Sequence, residues 1–305
     1  MGSQFRITHY YHSGFSVEAG DLLFVFDYWR GEHGELRGRR QLLPEQLSGY
    51  RQVYVFISHE HIDHLDPVVF AWKEKANVSY IVSSDMPVGT RGRRMAPGDR
   101  LDLEPDIHVT AFDSTDLGVS FLLNIRGHSF FHAGDLNFWH WRDESTLKEI
   151  DEAEKEFIRA VRPLSGIPVD VAFFPVDPRQ GTMFEAGANY FILQVKPRLL
   201  IPMHYFHRTE IIMEYARTAS SRSTEVLAMP GICDCILLDF SDDGFMDISF
   251  PKAEYPEEPD PMDGISEDNP FVDSDLPLAQ LSQEAEPEDA PEEEGGEDAP
   301  IPEDP

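Results

Sequence analysis

The chain is poor in cysteine, in basic residues and in long apolar runs, and each shortage excludes something. Its 305 residues hold two cysteines, Cys233 and Cys235. A disulfide across so short a loop would be strained, and two thiolates do not complete a zinc site, so both read as reduced structural residues on a strand. Lys and Arg number 25 against 56 Asp and Glu, a formal charge of −31. Proteins that bind nucleic acid carry a basic footprint, because phosphate contacts dominate their affinity, so a polyanionic partner is not expected. No apolar stretch follows Met1, and no run approaches the roughly 20 residues that span a bilayer. These shortages predict a soluble, cytoplasmic protein with no membrane partner.

The acidity is uneven. Residues 252–305 hold twenty acidic residues and one Lys, a net −19, which leaves −12 for residues 1–251. A segment so rich in Pro, Glu and Asp buries too little apolar surface to offset its chain entropy, and disorder is expected there. The remaining 251 residues suffice for one domain with a sizeable core. Two basic runs stand out, Arg37-Gly38-Arg39-Arg40 and Arg91-Gly92-Arg93-Arg94. They read as solvated loop charge, or as an anion-binding loop beside an active site.

Short β-prone runs fill the first half: Phe5–Thr8, Phe15–Glu18, Leu22–Phe26, Gln52–Ser58, Val78–Ser83, Ile107–Phe112, Val119–Ile125 and Ser129–His132. Gln52–Ser58 is almost continuously apolar, as in a strand covered on both faces. Helices are expected over Ser145–Val161, with Leu147, Ile150, Ala153, Phe157 and Ile158 on one face, and over Glu185–Val195 and Thr209–Ser220. Further strands are expected at 170–176, 199–203 and 225–239. This order suggests an α/β sandwich of two sheets with helices outside.

Chemistry concentrates in Ser58-His59-Glu60-His61-Ile62-Asp63-His64, directly after the apolar strand. Side chains two apart on an extended chain point the same way, so His59, His61 and Asp63 can converge, and His64 adds a nitrogen beside them. Imidazole and carboxylate suit zinc, manganese and iron. Four such groups exceed the need of one catalytic ion, which keeps a position open, so two divalent ions are expected. A chance H-x-H-x-D-H would arise in a chain of this length on the order of once in a thousand. Asp135, after His132-Ala133-Gly134, and His204, after Ile201-Pro202-Met203, each close a further apolar strand.

This ordered set resembles the metallo-β-lactamase superfamily over most of residues 5–240. Within it the chain is most similar to the group that includes L-ascorbate-6-phosphate lactonase, through His12-Ser13-Gly14-Phe15, Phe26-Asp27, Phe131-His132-Ala133-Gly134-Asp135, Asp170–Pro175 and Ile201–His204. The resemblance implies an αββα sandwich with two mixed sheets flanked by helices. By position, His59 and His61 would bind a first metal, Asp63, His64 and His204 a second, and Asp135 would bridge them. The family's third histidine for the first metal is missing from Asp113-Ser114-Thr115-Asp116-Leu117-Gly118. Asp116 is its best substitute by register, with Asp113 and Thr115 behind it, and would tilt that site toward manganese or iron relative to zinc. His61 stands where the diiron branch has a carboxylate, Asp135 stands where zinc β-lactamases usually have cysteine, and the added nucleic-acid modules of the nuclease branches are not seen.

The implied activity is hydrolysis of an ester, lactone or phosphodiester of a small, anionic molecule. Asp63 and Asp135 would hold the attacking water, and His140 would donate a proton from an aromatic wall, Phe138-Trp139-His140-Trp141. His12 either lines the site or packs behind it; Asp27 is expected to orient a ligand histidine, and His132 to be a satisfied buried residue. The alternative is a metal-binding, catalytically weak scaffold whose acidic tail makes the interactions.

Overall fold

The computed structural model describes residues 3–251, and the acidic segment 252–305 lies outside the described residues. Six strands come first: β1 (Ser3–His9), β2 (Phe15–Ala19), β3 (Leu22–Phe26), β4 (Gln52–Ile57), β5 (Val78–Ser83) and β6 (Arg93–Met95). The next seven form a second sheet: β7 (Arg100–Glu104), β8 (Ile107–Phe112), β9 (Ser120–Ile125), β10 (His128–His132), β11 (Val171–Pro175), β12 (Leu199–Met203) and β13 (Glu225–Val226). The chain then returns to the first sheet with β14 (Cys235–Phe240), beside β1, and β15 (Met246–Ser249). Helix α1 (Pro44–Leu47) lies in the first half; α2 (Leu147–Val161), α3 (Ala186–Val195) and α4 (Thr209–Ala219) lie in the second. Both sheets mix parallel and antiparallel pairs, which is the expected sandwich.

Burial on both faces explains the apolar strands. In β3 and β4, Phe24, Phe26, Tyr54 and Phe56 enter the core between the sheets, with Phe121 and Phe173 opposite. Their alternating partners Leu23, Val25, Val53, Val55 and Ile57 pack outward against Trp72, Val69 and Leu47. On the other sheet Phe173 stacks inward on Phe15, while Phe174 meets Phe157 of α2 and Phe191 of α3. Helix α2 starts where Thr146 Oγ1 accepts from the Glu149 N–H and the Glu149 carboxylate accepts in return from the Thr146 N–H, a reciprocal cap worth about 1 kcal/mol. Phe157, Ala160 and Val161 are its buried residues, and Leu147, at its first position, is exposed.

Two expectations change. The run 225–239 divides into β13 and β14, because Pro230-Gly231 opens a turn closed by Asp234, whose carboxylate accepts from the Gly231 N–H. Strands β6 and β7 were not expected: they are short and charged, and the sheet rather than an alternating pattern defines them. Arg94, from a run that could have formed an anion loop, donates to the carbonyls of Ser84, Met86 and Pro87. Neither cysteine forms a disulfide.

Parallel pairing positions the chemistry. Strands β3, β4 and β5 run parallel, as do β10, β11 and β12, so the carboxyl ends of each trio reach one edge together. Asp27 follows β3, Ser58 to His64 follow β4, Asp135 follows β10, Asp177 follows β11, and His204 follows β12.

Candidate metal centre

The donors meet at that edge. His64 Nε2 lies 3.0 Å and His204 Nε2 3.4 Å from Asp135 Oδ1; His59 Nε2 lies 3.3 Å and His61 Nδ1 4.0 Å from Asp135 Oδ2. Three overlapping groups have donor atoms within 4.8 Å of one another: His12 with Asp63, His64 and His204; His59 with His64 and Asp135; and His61 with Asp116 and Asp135. The structure therefore gathers His59, His61, Asp63, His64, Asp116, Asp135 and His204, with the Asp135 carboxylate at the centre.

Metal ions fit this set. His64 Nε2, His204 Nε2 and Asp135 Oδ1 are buried and, apart from one another, have no hydrogen-bond partner. A buried polar atom without a partner costs about 1–3 kcal/mol, and converging lone pairs of imidazole and carboxylate are what a divalent cation takes up.

The outward nitrogens are held in place. His64 Nδ1–H donates to Asp27 Oδ2 at 2.8 Å, and His204 Nδ1–H donates to Asp177 Oδ2 at 2.9 Å. Ser58 Oγ donates to Asp27 Oδ2 at 2.6 Å and accepts from His59 Nδ1 at 2.9 Å. Each of these bonds fixes the tautomer that leaves Nε2 facing the centre. Asp27 thus orients one histidine directly and another through Ser58, as expected of it. His132 is the satisfied buried histidine the sequence suggested: Nε2 donates to the Ser13 carbonyl, and Nδ1 accepts from the Gly134 N–H.

Electrostatics follow from this crowding. Burial alone would raise the Asp135 carboxyl, but His64, His204 and His59 hold it well below the usual carboxylate range. Burial would lower His64, and the Asp135 and Asp27 carboxylates on either side raise it well above an ordinary imidazole. Asp63 is likewise held ionised, with the histidines His12, His64 and His204 outweighing its burial. His12 is pushed down to about 3, first by burial and then by its histidine neighbours.

The loop that lacks the family's histidine is anchored by close approach. A Cβ on Gly118 (φ +81°) would sit 1.9 Å from the Ser58 carbonyl oxygen, so only glycine lets this loop lie against the backbone preceding His59. Of the three substitutes, Thr115 is engaged elsewhere, its Oγ1 donating to the Asn137 carbonyl and accepting from the Asn137 N–H. Asp113 is exposed, and its carboxylate accepts from the Ser114 N–H. Asp116 reaches His61 and Asp135.

A cleft of about 340 Å³ opens over the centre, lined by His61, Asp63, Asp116, Asp135 and His204, with Trp139, Trp141 and Arg179 on its walls. The aromatic run divides. Trp139 donates from Nε1 to the Asp135 carbonyl and stacks on Trp141, while Phe138 packs on the core. His140 departs from its expected role. Its Nε2 donates to the Met183 carbonyl and its Nδ1 accepts from the Arg142 N–H, so both ring nitrogens are bound to backbone, and it does not line the cleft.

Two functional residues escaped the sequence reading. Asp177 holds both His204 and Arg179, accepting from Arg179 Nε at 2.9 Å. Arg179 is 42% exposed and lies over the Phe206 ring. The cleft's arginine therefore comes from neither basic run. Its only local signal is Asp177-Pro178-Arg179 at a strand end.

The sequence pattern of the family described as "Beta-lactamase superfamily domain" matches residues 25–205. A metal-dependent hydrolase of Carboxydothermus hydrogenoformans is 27% identical over 216 residues, 66% of this chain and 84% of its own length. One of Opitutus terrae is 26% identical over 235 residues, 70% of this chain and 91% of its own length. Among solved structures, a metallo hydrolase of Ignicoccus hospitalis superposes with a TM-score of 0.57 at 17% identity, covering 78% of this chain and all of that one. Among the described residues no helix is long and apolar enough to cross a membrane. The match over residues 25–205, which hold every donor of the centre except His12, establishes that the chain belongs to the β-lactamase superfamily.

Proposed function

We propose that the protein is a metal-dependent hydrolase of a small anionic ester, lactone or phosphodiester, with two divalent ions held on either side of Asp135. The observation that carries this reading is the convergence of two donor groups on one buried carboxylate, with the inward nitrogens of His64 and His204 lacking any hydrogen-bond partner outside the centre. His59, His61 and Asp116 would hold the outer ion, Asp63, His64 and His204 the inner, and Asp135 both. When bound, such ions polarise a carbonyl or phosphoryl oxygen and make water acidic enough to ionise near neutral pH. The names of the relatives from Carboxydothermus hydrogenoformans and Opitutus terrae support the same reading.

The chain's own residues supply the rest. Asp63 and Asp135 are ionised and carry no proton to give, so they act as acceptors. Asp63, the more open of the two at 23% exposure, takes up the proton of the attacking water. Trp139 and Trp141 form a flat apolar wall, and its fixed position lowers the entropy cost of orienting a substrate. Arg179 supports an anionic substrate: Nε and Nη2 are tied to Asp177, and Nη1 has no hydrogen-bond partner among the described residues. A guanidinium pre-oriented in this way suits a carboxylate or phosphate oxygen.

The test is a panel of lactones, phosphodiesters and thioesters offered to the full chain loaded with zinc, manganese or iron. Turnover of one class, lost in Asp135→Ala, is expected. In Arg179→Gln, KM for an anionic substrate should rise about tenfold, equivalent to one charge-assisted hydrogen bond. A chain that binds two ions yet turns over no member of the panel would favour the scaffold reading instead.

A further inference from the structure

We infer that His12 is a further protein donor to the inner position, beside Asp63, His64, His204 and the shared Asp135, and that it closes this position, leaving exchange with solvent and substrate to the outer one. The inference rests on the two-ion reading above.

His12 is 1% exposed, its Nδ1 has no hydrogen-bond partner, and its Nε2 has none besides Asp63. Its Nε2 lies 3.2 Å from Asp63 Oδ2. Two donors bound to one ion by bonds of about 2.1 Å can lie this far apart. Its donor atom falls within the same 4.8 Å group as those of Asp63, His64 and His204. A satisfied core histidine would show its partners, as His132 does.

The backbone argues independently. His12 has φ 55°, Asp27 φ 41° and His204 φ 67°. A left-handed conformation is costly for a side chain with a Cβ and persists where the surroundings impose it, often at functional sites. At all three the chain has just left a strand or its following turn; His12 and His204 are turned toward the centre, and Asp27 toward the outward nitrogen of His64. The His204 N–H donates to the His12 carbonyl at 3.2 Å, and the two rings lie 4.0 Å apart. Phe206 and Trp29 pack on the His12 ring from its other sides, so its aim is fixed.

The consequence is asymmetry. The inner position gathers three imidazoles and a carboxylate besides Asp135, more protein donors than the three that leave a catalytic site open. The outer position has His61 at 44% side-chain exposure and the exposed Asp116 among its donors, and it faces the cleft. The inner ion is held tightly, and the outer ion is the exchangeable one.

The test uses the full chain, stripped with a chelator and titrated with zinc against a chromophoric competitor. Two ions of unequal affinity are expected. His12→Ala and the volume-filling His12→Phe should weaken the tighter by 10- to 100-fold and the weaker by less than threefold. Asp116→Ala should do the reverse. Circular dichroism and Tm confirm that each variant is folded. If neither His12 variant folds, zinc-edge X-ray absorption on the one-ion wild-type chain decides: three imidazoles support the assignment and two overturn it. A folded His12→Ala chain with wild-type affinity for the tighter ion also overturns it, without touching the two-ion reading. A wild-type chain that binds no ion overturns both.

Discussion

Replacing Asp27 by Asn would test how the centre is organised, because the exchange keeps shape and removes charge. Asp27 is buried and accepts from the Ser58 N–H at 2.8 Å, from Ser58 Oγ and from His64 Nδ1. An amide can keep the first bond through its oxygen, but it turns N–H donors toward the other two partners. Ser58 can rotate its hydroxyl. His64 can answer only by losing the Nδ1 proton, which moves to Nε2, the atom that faces Asp135. The nitrogen a metal needs is then protonated. Loss of a partner that orients a ligand histidine typically costs 10- to 100-fold in metal affinity, or about 1.4–2.7 kcal/mol. The metal-stripped chain should also lose about 2–4 kcal/mol, since a charged acceptor is removed from a buried bond pair. Competition with a chromophoric chelator reads the first quantity, and urea unfolding reads the second. Ser58→Ala is the comparison: it removes the partner of His59 Nδ1 and one donor to Asp27 but leaves the Asp27–His64 bond, and should weaken the outer ion more than the inner. A folded Asp27→Asn chain that holds the inner ion within threefold of wild type would refute the tautomer argument.

Asp116→Ala should lower affinity for the outer ion by about 100-fold, and Asp116→His should restore it while shifting manganese-zinc competition toward zinc; elemental analysis after mixed loading reads both, and unchanged metal content in the Ala variant counts against Asp116. In the stripped chain, the raised His64 pKa stabilises the fold fully below the unfolded value near 6.5, and that contribution disappears as pH rises through the folded value. Tm of the stripped chain should therefore fall as pH rises above the ordinary imidazole value, while metal affinity rises up to about tenfold per pH unit as the competing proton leaves; flat profiles would deny the trapped proton. Gly118→Ala places a methyl 1.9 Å from the Ser58 carbonyl at φ +81° and should cost about 3 kcal/mol or more, a Tm loss of about 6 °C or more. An unchanged Tm would mean that this loop yields freely.

Much of the fold was legible because its signals are local. Alternation and continuous apolar runs mark β3, β4, β11 and β12, since strands buried on both faces need such residues at every position. The H-x-H-x-D-H cluster, Asp135 and His204 were legible because each ends such a run. What stayed hidden depends on tertiary placement. Strands β6 and β7 are charged and are defined by their neighbours in the sheet. Asp177 and Arg179 look like ordinary turn residues until the pairing of β11 with β12 sets them beside His204. His140 has the chemistry of a proton donor and the right sequence distance from Asp135, yet the backbone of Arg142 and Met183 occupies both its nitrogens. His12 could not be assigned from sequence, because an isolated histidine after a strand reads the same whether it packs or binds.

Metal analysis of the purified full chain, combined with anomalous X-ray scattering at the metal edges, tests the central claim most directly. The account predicts two ions per chain on opposite sides of the Asp135 carboxylate, the inner one against Asp63, His64 and His204 and the outer one against His59, His61 and Asp116. A single ion, or two ions that do not share Asp135, would contradict it.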